Sequence, residues 1–231
     1  MFNPANLLQG ENGTIIANGM IASVELTVLA WLVAFGVGLG LAVLRAMHTR
    51  AGTAFVAVYV AYHRNVPLLV QILFWYFGIS GLLPGAMQQW LNGHGGGFFS
   101  GAIAIGLCLA AFVSEDLRSG MRSVSSGQRE AARSLGLTFF QTMRDIVIPQ
   151  ALRNAMPALV NSTLLIFKNT SLLMAIGVTE MTYASRMIEA QTFRTLEVFL
   201  IATAFYLMVS LVIMVGGHAL ERHYRIAGRR A

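Results

Sequence analysis

Charge is what this sequence has least of: only 11% of its 231 residues are Asp, Glu, Lys or Arg, against roughly 25% in an ordinary soluble domain. With 56% hydrophobic residues, 14 Phe and 12 Met, that scarcity excludes a water-bathed surface over most of the molecule and indicates a membrane protein. The net charge of +6 then reads as Lys and Arg gathered on the cytoplasmic side of a bilayer, not as a nucleic-acid footprint. A single cysteine, Cys108, makes neither an intrachain disulfide nor a metal site, and its place in an apolar run marks it as a packing residue. No G-x4-G-K-[ST] phosphate loop occurs, so the chain is not itself an ATPase of that type. H-E-x-x-H, G-x-S-x-G and paired intramembrane aspartates are absent too, which leaves no recognisable intramembrane enzyme. Residues 1 to 18 hold no Lys or Arg, whereas a signal peptide starts on a basic segment, so the chain is expected to be unprocessed.

What is present is a series of long apolar runs. Crossing the hydrocarbon core takes about 20 apolar residues, and five stretches serve: 20 to 44, interrupted by Glu25; 67 to 83, opened by Pro67; 98 to 113, after the turn NGHGGG; 151 to 167; and 196 to 217. Pro67 costs little there, because the first N–H of a helix has no partner to lose. Residues 51 to 64 read as a separate short helix at the membrane interface, since fusion with the second run would give about 45 Å of helix, too long for one crossing. Gly36, Gly38 and Gly40 in the first run suit close helix packing.

Residues 168 to 194 are apolar only in part, and parity and charge decide their place. With five crossings, the basic segments 45 to 64, 115 to 153 and 221 to 231 share one side and hold 13 of the 16 Lys and Arg, leaving Lys168, Arg186 and Arg194 opposite. The positive-inside rule then sets the N-terminus outside and the C-terminus in the cytoplasm. Residues 171 to 190 become a partly inserted segment or an outer helix. The expected fold is all-α: one polytopic membrane domain over residues 1 to 231, with about five transmembrane helices.

Residues 127 to 152, GQREAARSLGLTFFQTMRDIVIPQAL, break the apolar pattern. Ser125 with Gln128 and Thr138 with Gln141 each fit a capping box, and Gly136 stands where a left-handed residue closes the first helix. The second helix is expected to tuck Phe139, Phe140, Met143, Ile146 and Val147 against the protein, with Gln141, Arg144 and Asp145 turned away. The first presents Ala131 and Ala132, flanked by Arg129, Glu130 and Arg133. Such a hairpin over 125 to 148 either joins two spans or is a docking knob, its alanines allowing close approach and its charges fixing register.

Glu130-Ala131-Ala132, three residues, Gly136, nine residues and Ile146-Val147-Ile148-Pro149 resemble the EAA motif of ABC importer permeases, E-A-A-x3-G-x9-I-x-L-P, with Ile148 in place of Leu. RNVPLLVQILFWYFG, from 64 to 78, is similar to the RGTPLLVQ element of polar amino acid permeases, and FKNTSLLMAIGVTEM, from 167 to 181, to their lKdTSLxxxIGvxEL stretch. These matches span roughly 64 to 221. Asn65 and Val66 depart from the usual Gly and Thr, and Glu25 from an uncharged polar residue; the Arg-Asn form resembles acidic amino acid permeases. The resemblance implies a coupling helix seated in a separate cytoplasmic ABC ATPase, with Arg129, Glu130, Ala131, Ala132, Arg133 and Gly136 at the contact. It implies a second permease subunit, identical or homologous, and an external amino acid binding protein, in the bacterial inner membrane. The chain would bind no cofactor itself, and ATP and Mg would belong to the ATPase.

Ionisable groups inside a membrane domain tend to line pathways. Glu180 matches an acidic position of the family and is a candidate for the translocation path; it would otherwise sit among outer headgroups or pair with Arg186. Lys168, Asn169, Thr170 and Ser171 form a polar break suited to a gate or to ligand contact, and Asn169 or Thr170 equally suits a helix N-cap. Asn161 and Gln71 are buried-polar candidates, as ligand contacts or as glue between helices. Glu25 faces either the pore mouth or the headgroups. Glu25 and Glu180 also fit an ATP-independent carrier or channel, the competing reading.

Overall fold

The computed structural model describes residues 7 to 93 and 95 to 223; position 94 of the glycine-rich turn and the basic tail from 224 onward lie outside them. The described residues form helices throughout: α1 (Gly10–Ala46), α2 (Arg50–Asn65), α3 (Leu68–Leu73), α4 (Ser80–Leu82), α5 (Gly85–Gly93), α6 (Gly96–Arg122), α7 (Ser126–Ser134), α8 (Phe139–Thr142), α9 (Ile148–Asn169), α10 (Met181–Thr192) and α11 (Thr195–His223). Single π-helical turns join α3 to α4 (Phe74–Ile79) and α8 to α9 (Met143–Val147), and a 3₁₀ segment, Thr170–Ile176, follows α9. Among the described residues, four stretches are long and apolar enough to cross a membrane, or five if the pair Arg50–Asn65 and Leu68–Ile79, bent by 106°, counts as one broken span.

The crossing helices overrun the apolar runs that announce them. α1 has 37 residues, starting at Gly10 instead of Met20, and is about 55 Å long. α6 continues to Arg122, past Val113, because Glu115 is answered by Arg45 and Arg118, and Asp116 by the Ser162 hydroxyl at 2.7 Å. Hydropathy stops at the first charge; a helix does not stop where the charge finds a partner.

α6 is the hub. Between lipid-solvated helices the hydrophobic effect gives little, so small residues that let backbones approach carry the packing. Ala30, Ala34 and Gly38 of α1 are buried in one stripe. A Cβ on Gly38 would stand 2.8 Å from Val113 Cγ1, and one on Gly106 would stand 2.6 Å from Val33 Cβ. Gly36 and Gly40, in contrast, face open space. α1 runs parallel to α6, and α9 runs antiparallel to it, with Ala151 and Ala155 against Gly120. α11 returns along α9, Gly217 against Val160. The C-terminal ends of α1 and α6 therefore meet the start of α9 at one end of the molecule, where α7 and α8 hang.

α2 packs against α1 and α6. Val56 and Val60 are buried with Leu41 of α1 and Ala111 of α6, and the Tyr59 hydroxyl donates to the Leu107 carbonyl at 2.7 Å. The chain breaks at Val66, which is extended (φ −95°, ψ 128°), as a residue before proline prefers. Pro67 has no N–H to give the carbonyl four residues back, which is that of His63. Gln71 supplies the missing donor: its Nε2 reaches His63 O at 3.2 Å and Val66 O at 2.8 Å, while its Oε1 meets His63 Nδ1 at 2.6 Å. Cys108 is buried beside this bend, its thiol 3.5 Å from the same His63 carbonyl.

Coupling hairpin and intramembrane clefts

The hairpin closes as its sequence indicates at Gly136 and only in part elsewhere. Gly136 adopts φ +76°. The Leu137 N–H then reaches Ala132 O at 3.1 Å, and the Gly136 N–H reaches Arg133 O at 2.9 Å, the paired bonds of a Schellman closure. Thr138 and Gln141 form the reciprocal capping box. Ser125 does not: it occupies the N-cap position of α7, but its side chain makes no capping bond.

Two residues expected at the contact surface point inward. Ala132 is 1% exposed, packed under the hairpin. Arg129 folds back to donate Nη2 to Met121 O at 2.7 Å and Val124 O at 3.5 Å, so it fastens α7 to the end of α6. Glu130, Ala131, Arg133 and Gly136 remain exposed. The second helix is also turned relative to expectation: Met143 and Val147 are buried, but Phe139 and Phe140 are exposed, 37% and 65%, beside Leu135 at 79%. Thr142 takes the inner place instead, its hydroxyl satisfied by the Thr138 carbonyl at 2.9 Å. The outcome is an apolar tip of Leu135, Phe139 and Phe140 next to Glu130 and Arg133, the composition of an interface centre with a charged rim.

The candidate path residues are not brought together. Glu25, Asn161 and Lys168 are exposed and Asn169 is half-buried; Asn161 is thus not the buried polar residue expected, and the inward position beside it belongs to Ser162. Thr170 and Ser171 return their hydroxyls to the carbonyls of Phe167 and Lys168, both at 2.8 Å. Neither Asn169 nor Thr170 caps a following helix: Asn169 makes no side-chain capping bond at the 3₁₀ segment. Gln71 is fully committed to the α2–α3 bend.

Glu180 is 0% exposed and is the N-cap of α10. Its carboxylate accepts from the Thr182 N–H at 2.8 Å, the Tyr183 N–H at 2.9 Å and the Tyr206 hydroxyl at 2.9 Å. Ser23 of α1 accepts from the Met181 N–H at 3.0 Å, so α1, α10 and α11 are laced around one carboxyl. Burial pushes its pKa above the ordinary carboxylate value, and the hydrogen bonds from Thr182, Tyr183 and Tyr206 pull it back. It pairs neither with headgroups nor with Arg186, which turns to Glu189 at 3.3 Å.

Polar side chains do converge elsewhere, on α6. Asp116, Ser119, Ser123 and Asn154 line a cleft of about 310 Å³ between α6 and α9, with Asn154 Nδ2 2.8 Å from Ser123 Oγ. A second cleft, of about 470 Å³, holds Arg45, Arg64, Asn65 and Glu115 against Ala57 and Ala61 of α2. Arg64 stands in the second cleft, its guanidinium 5.2 Å over the Phe112 ring of α6. The sequence signal was the spacing of Asp116, Ser119 and Ser123, three and four apart on one helix face, which hydropathy hides.

An exposed, rigidly capped hairpin under a bundle of about five crossings, with polar clefts inside, is the layout of a transport subunit worked by a partner, and the sequence comparison agrees. Residues 33 to 226 match the family described as the binding-protein-dependent transport system inner membrane component. The chain belongs to this family. Relatives of this inner membrane component include the probable glutamine ABC transporter permease protein GlnM of Bacillus subtilis, 32% identical over 212 residues, covering 92% of this chain and 94% of GlnM. The glutamate/aspartate import permease protein GltJ of Escherichia coli is 31% identical over 92% of this chain and 88% of its own. The nopaline transport system permease protein NocM of Agrobacterium fabrum is 36% identical over 83% and 80%. Among solved structures, an amino acid ABC transporter crystallised with histidines superposes with a TM-score of 0.80 at 28% identity, covering 96% of this chain and 99% of that one. The MetNI methionine ABC transporter shares the fold, with a TM-score of 0.71 at 16% identity and coverage of 94% and 100%. The EAA hairpin is a feature of this family.

Proposed function

We propose that this inner membrane component forms the translocation path for a polar amino acid and is driven by a separate cytoplasmic ABC ATPase through the hairpin 125 to 148. The observation that carries this reading is the apolar tip of Leu135, Phe139 and Phe140, held out on two capped helices and fastened to α6 by Arg129. The hairpin end is assigned to the cytoplasm, because the basic segments converge there. A second permease subunit, identical or homologous, closes the path, and a binding protein delivers the solute from outside. ATP and Mg act in the ATPase; closure of its dimer pulls the hairpins, and α6 moves with them. Transport follows from different solute affinities of the two bundle states.

Within the path, Asp116 suits the α-ammonium of an amino acid and Arg64 its carboxylate. Arg45, Arg64 and Arg118 outnumber Glu115 and Asp116 along this face of α6, which favours a solute with an acidic side chain, glutamate or aspartate. The relatives carry different solutes by name, and the preference rests on these charges together with the Arg64-Asn65 pair. Glu180 acts at a distance, as the cap that fixes α10 against α1 and α11.

Reconstitution with the cognate ATPase and binding protein tests the reading. Glutamate uptake should require ATP and fall at least tenfold in Asp116→Asn, while the ATPase still co-purifies. Uptake that persists without the ATPase would reverse the conclusion in favour of a secondary carrier, and better competition by arginine than by glutamate would reverse the solute assignment.

A further inference from the structure

A third concavity lies at the hairpin end and shares Arg45 with the second cleft. It encloses about 320 Å³ and is lined by Arg45 and His48 at the close of α1, Thr53 in the first turn of α2, Arg118 and Arg122 of α6, and Arg129 of α7. Four guanidiniums line it and, among the described residues, no acidic side chain does; Arg45 and Arg118 are both bound by Glu115, which stands outside the lining. Arg129 places Nη2 on the α6 carbonyls, but its Nε is buried with no hydrogen-bond partner among the described residues. Arg122 and His48 are exposed and have no side-chain partner among the described residues. The N-terminus of the 16-residue α2 opens here too, and its first turn carries no acidic residue. The positive end of a helix dipole beside a cluster of cations is unfavourable unless an anion lies between them.

We propose that this pocket binds a phosphate group, supplied by the headgroup of an anionic phospholipid from the leaflet at the hairpin end. The lipid is the source the position favours: α1 and α6, both long and apolar enough to cross a membrane, end here, where a phosphodiester would arrive already anchored by its acyl chains. Basic pockets between spanning helices on the cytoplasmic side suit such headgroups. Arg122 offers a planar fork to the phosphate oxygens, and His48 supplies a further donor. One headgroup would then touch α1, α2, α6 and α7 together and hold the hairpin to the spans, so membrane charge would tune coupling. The inference rests on the cytoplasmic assignment of the hairpin but on neither solute nor ATPase, so its test uses the permease alone.

Thermal unfolding of the purified chain in neutral detergent is followed during titration with phosphatidylglycerol, phosphatidylcholine or inorganic phosphate. At a hundredfold excess over Kd, phosphatidylglycerol should raise the midpoint by about 5 °C, and phosphatidylcholine should not. Arg122→Gln should lose most of that rise and Arg122→Lys should keep much of it; Arg122 is exposed, so neither change threatens the fold. His48→Asn, which tolerates the left-handed φ of +55° at that position, gives a second loss of response. An equal rise with inorganic phosphate would overturn the lipid source and assign the pocket to free phosphate. Equal responses to the two lipids, or an undiminished response in both Arg122→Gln and His48→Asn, would overturn the site.

Discussion

The hairpin tip and the α10 cap carry their charges in opposite ways. At the tip, Glu130 and Arg133 are exposed and three large apolar side chains stand beside them uncovered. Around α10, Glu180 is sealed from solvent and accepts from Thr182, Tyr183 and Tyr206. The first region is left open; the second is already closed. A charge in an apolar chain therefore marks function where its surroundings are left open, and marks architecture where they are closed.

Substitutions can break or sharpen that contrast. Glu180→Ala removes an N-cap and one of the two partners of the Tyr206 hydroxyl, which keeps Thr182 at 3.0 Å, and should cost about 2 kcal/mol, read as a lower unfolding midpoint of the purified permease; Glu180→Gln should recover more than half. An unchanged midpoint in Glu180→Ala would open the closed region and return Glu180 to the path. Gln71→Leu leaves the Val66 carbonyl at the bend without its donor and the His63 carbonyl with only the Cys108 thiol, and should cost about 2 kcal/mol, measured in the same way. Gly136→Val forces a β-branched residue to a positive φ, at about 1 to 2 kcal/mol; that strain falls in the hairpin, so loss of coupled uptake should exceed loss of thermal stability. Phe140→Ser should leave stability within about 0.5 kcal/mol while reducing ATPase capture about tenfold. Full capture by that variant would remove the apolar tip from the interface.

The number of crossings, the bend near Pro67 and the closure at Gly136 were legible, because each depends on local chemistry: run length, a missing N–H, a required left-handed residue. The roles of Arg129 and Ala132 were not. Ala132 lies within the motif and Arg129 directly before it, and only the fold of α7 back onto the end of α6 shows that they face inward. Asn161 and Ser162 differ by 100° around α9, and no local signal says which of them meets Asp116. Asp116 itself was hidden by its success: paired with Ser162 inside a continuous helix, it looks in a hydropathy trace like the end of a span. Glu180 was found as important, with its purpose deduced from charge when the backbone geometry of α10 defines it.

The attachment of Arg129 to Met121 and Val124 makes α6 a lever. Its 27 residues reach about 40 Å, so a tilt of about 5° imposed at the hairpin would carry the opposite end by roughly 3 Å, about the width of a methyl group. The α2–α3 elbow, with its carbonyls bridged by Gln71, gives little compliance by which that displacement could be absorbed. A small stroke delivered at one membrane face would therefore arrive at the other nearly undiminished, and the reach of the motion is set by the length of one helix.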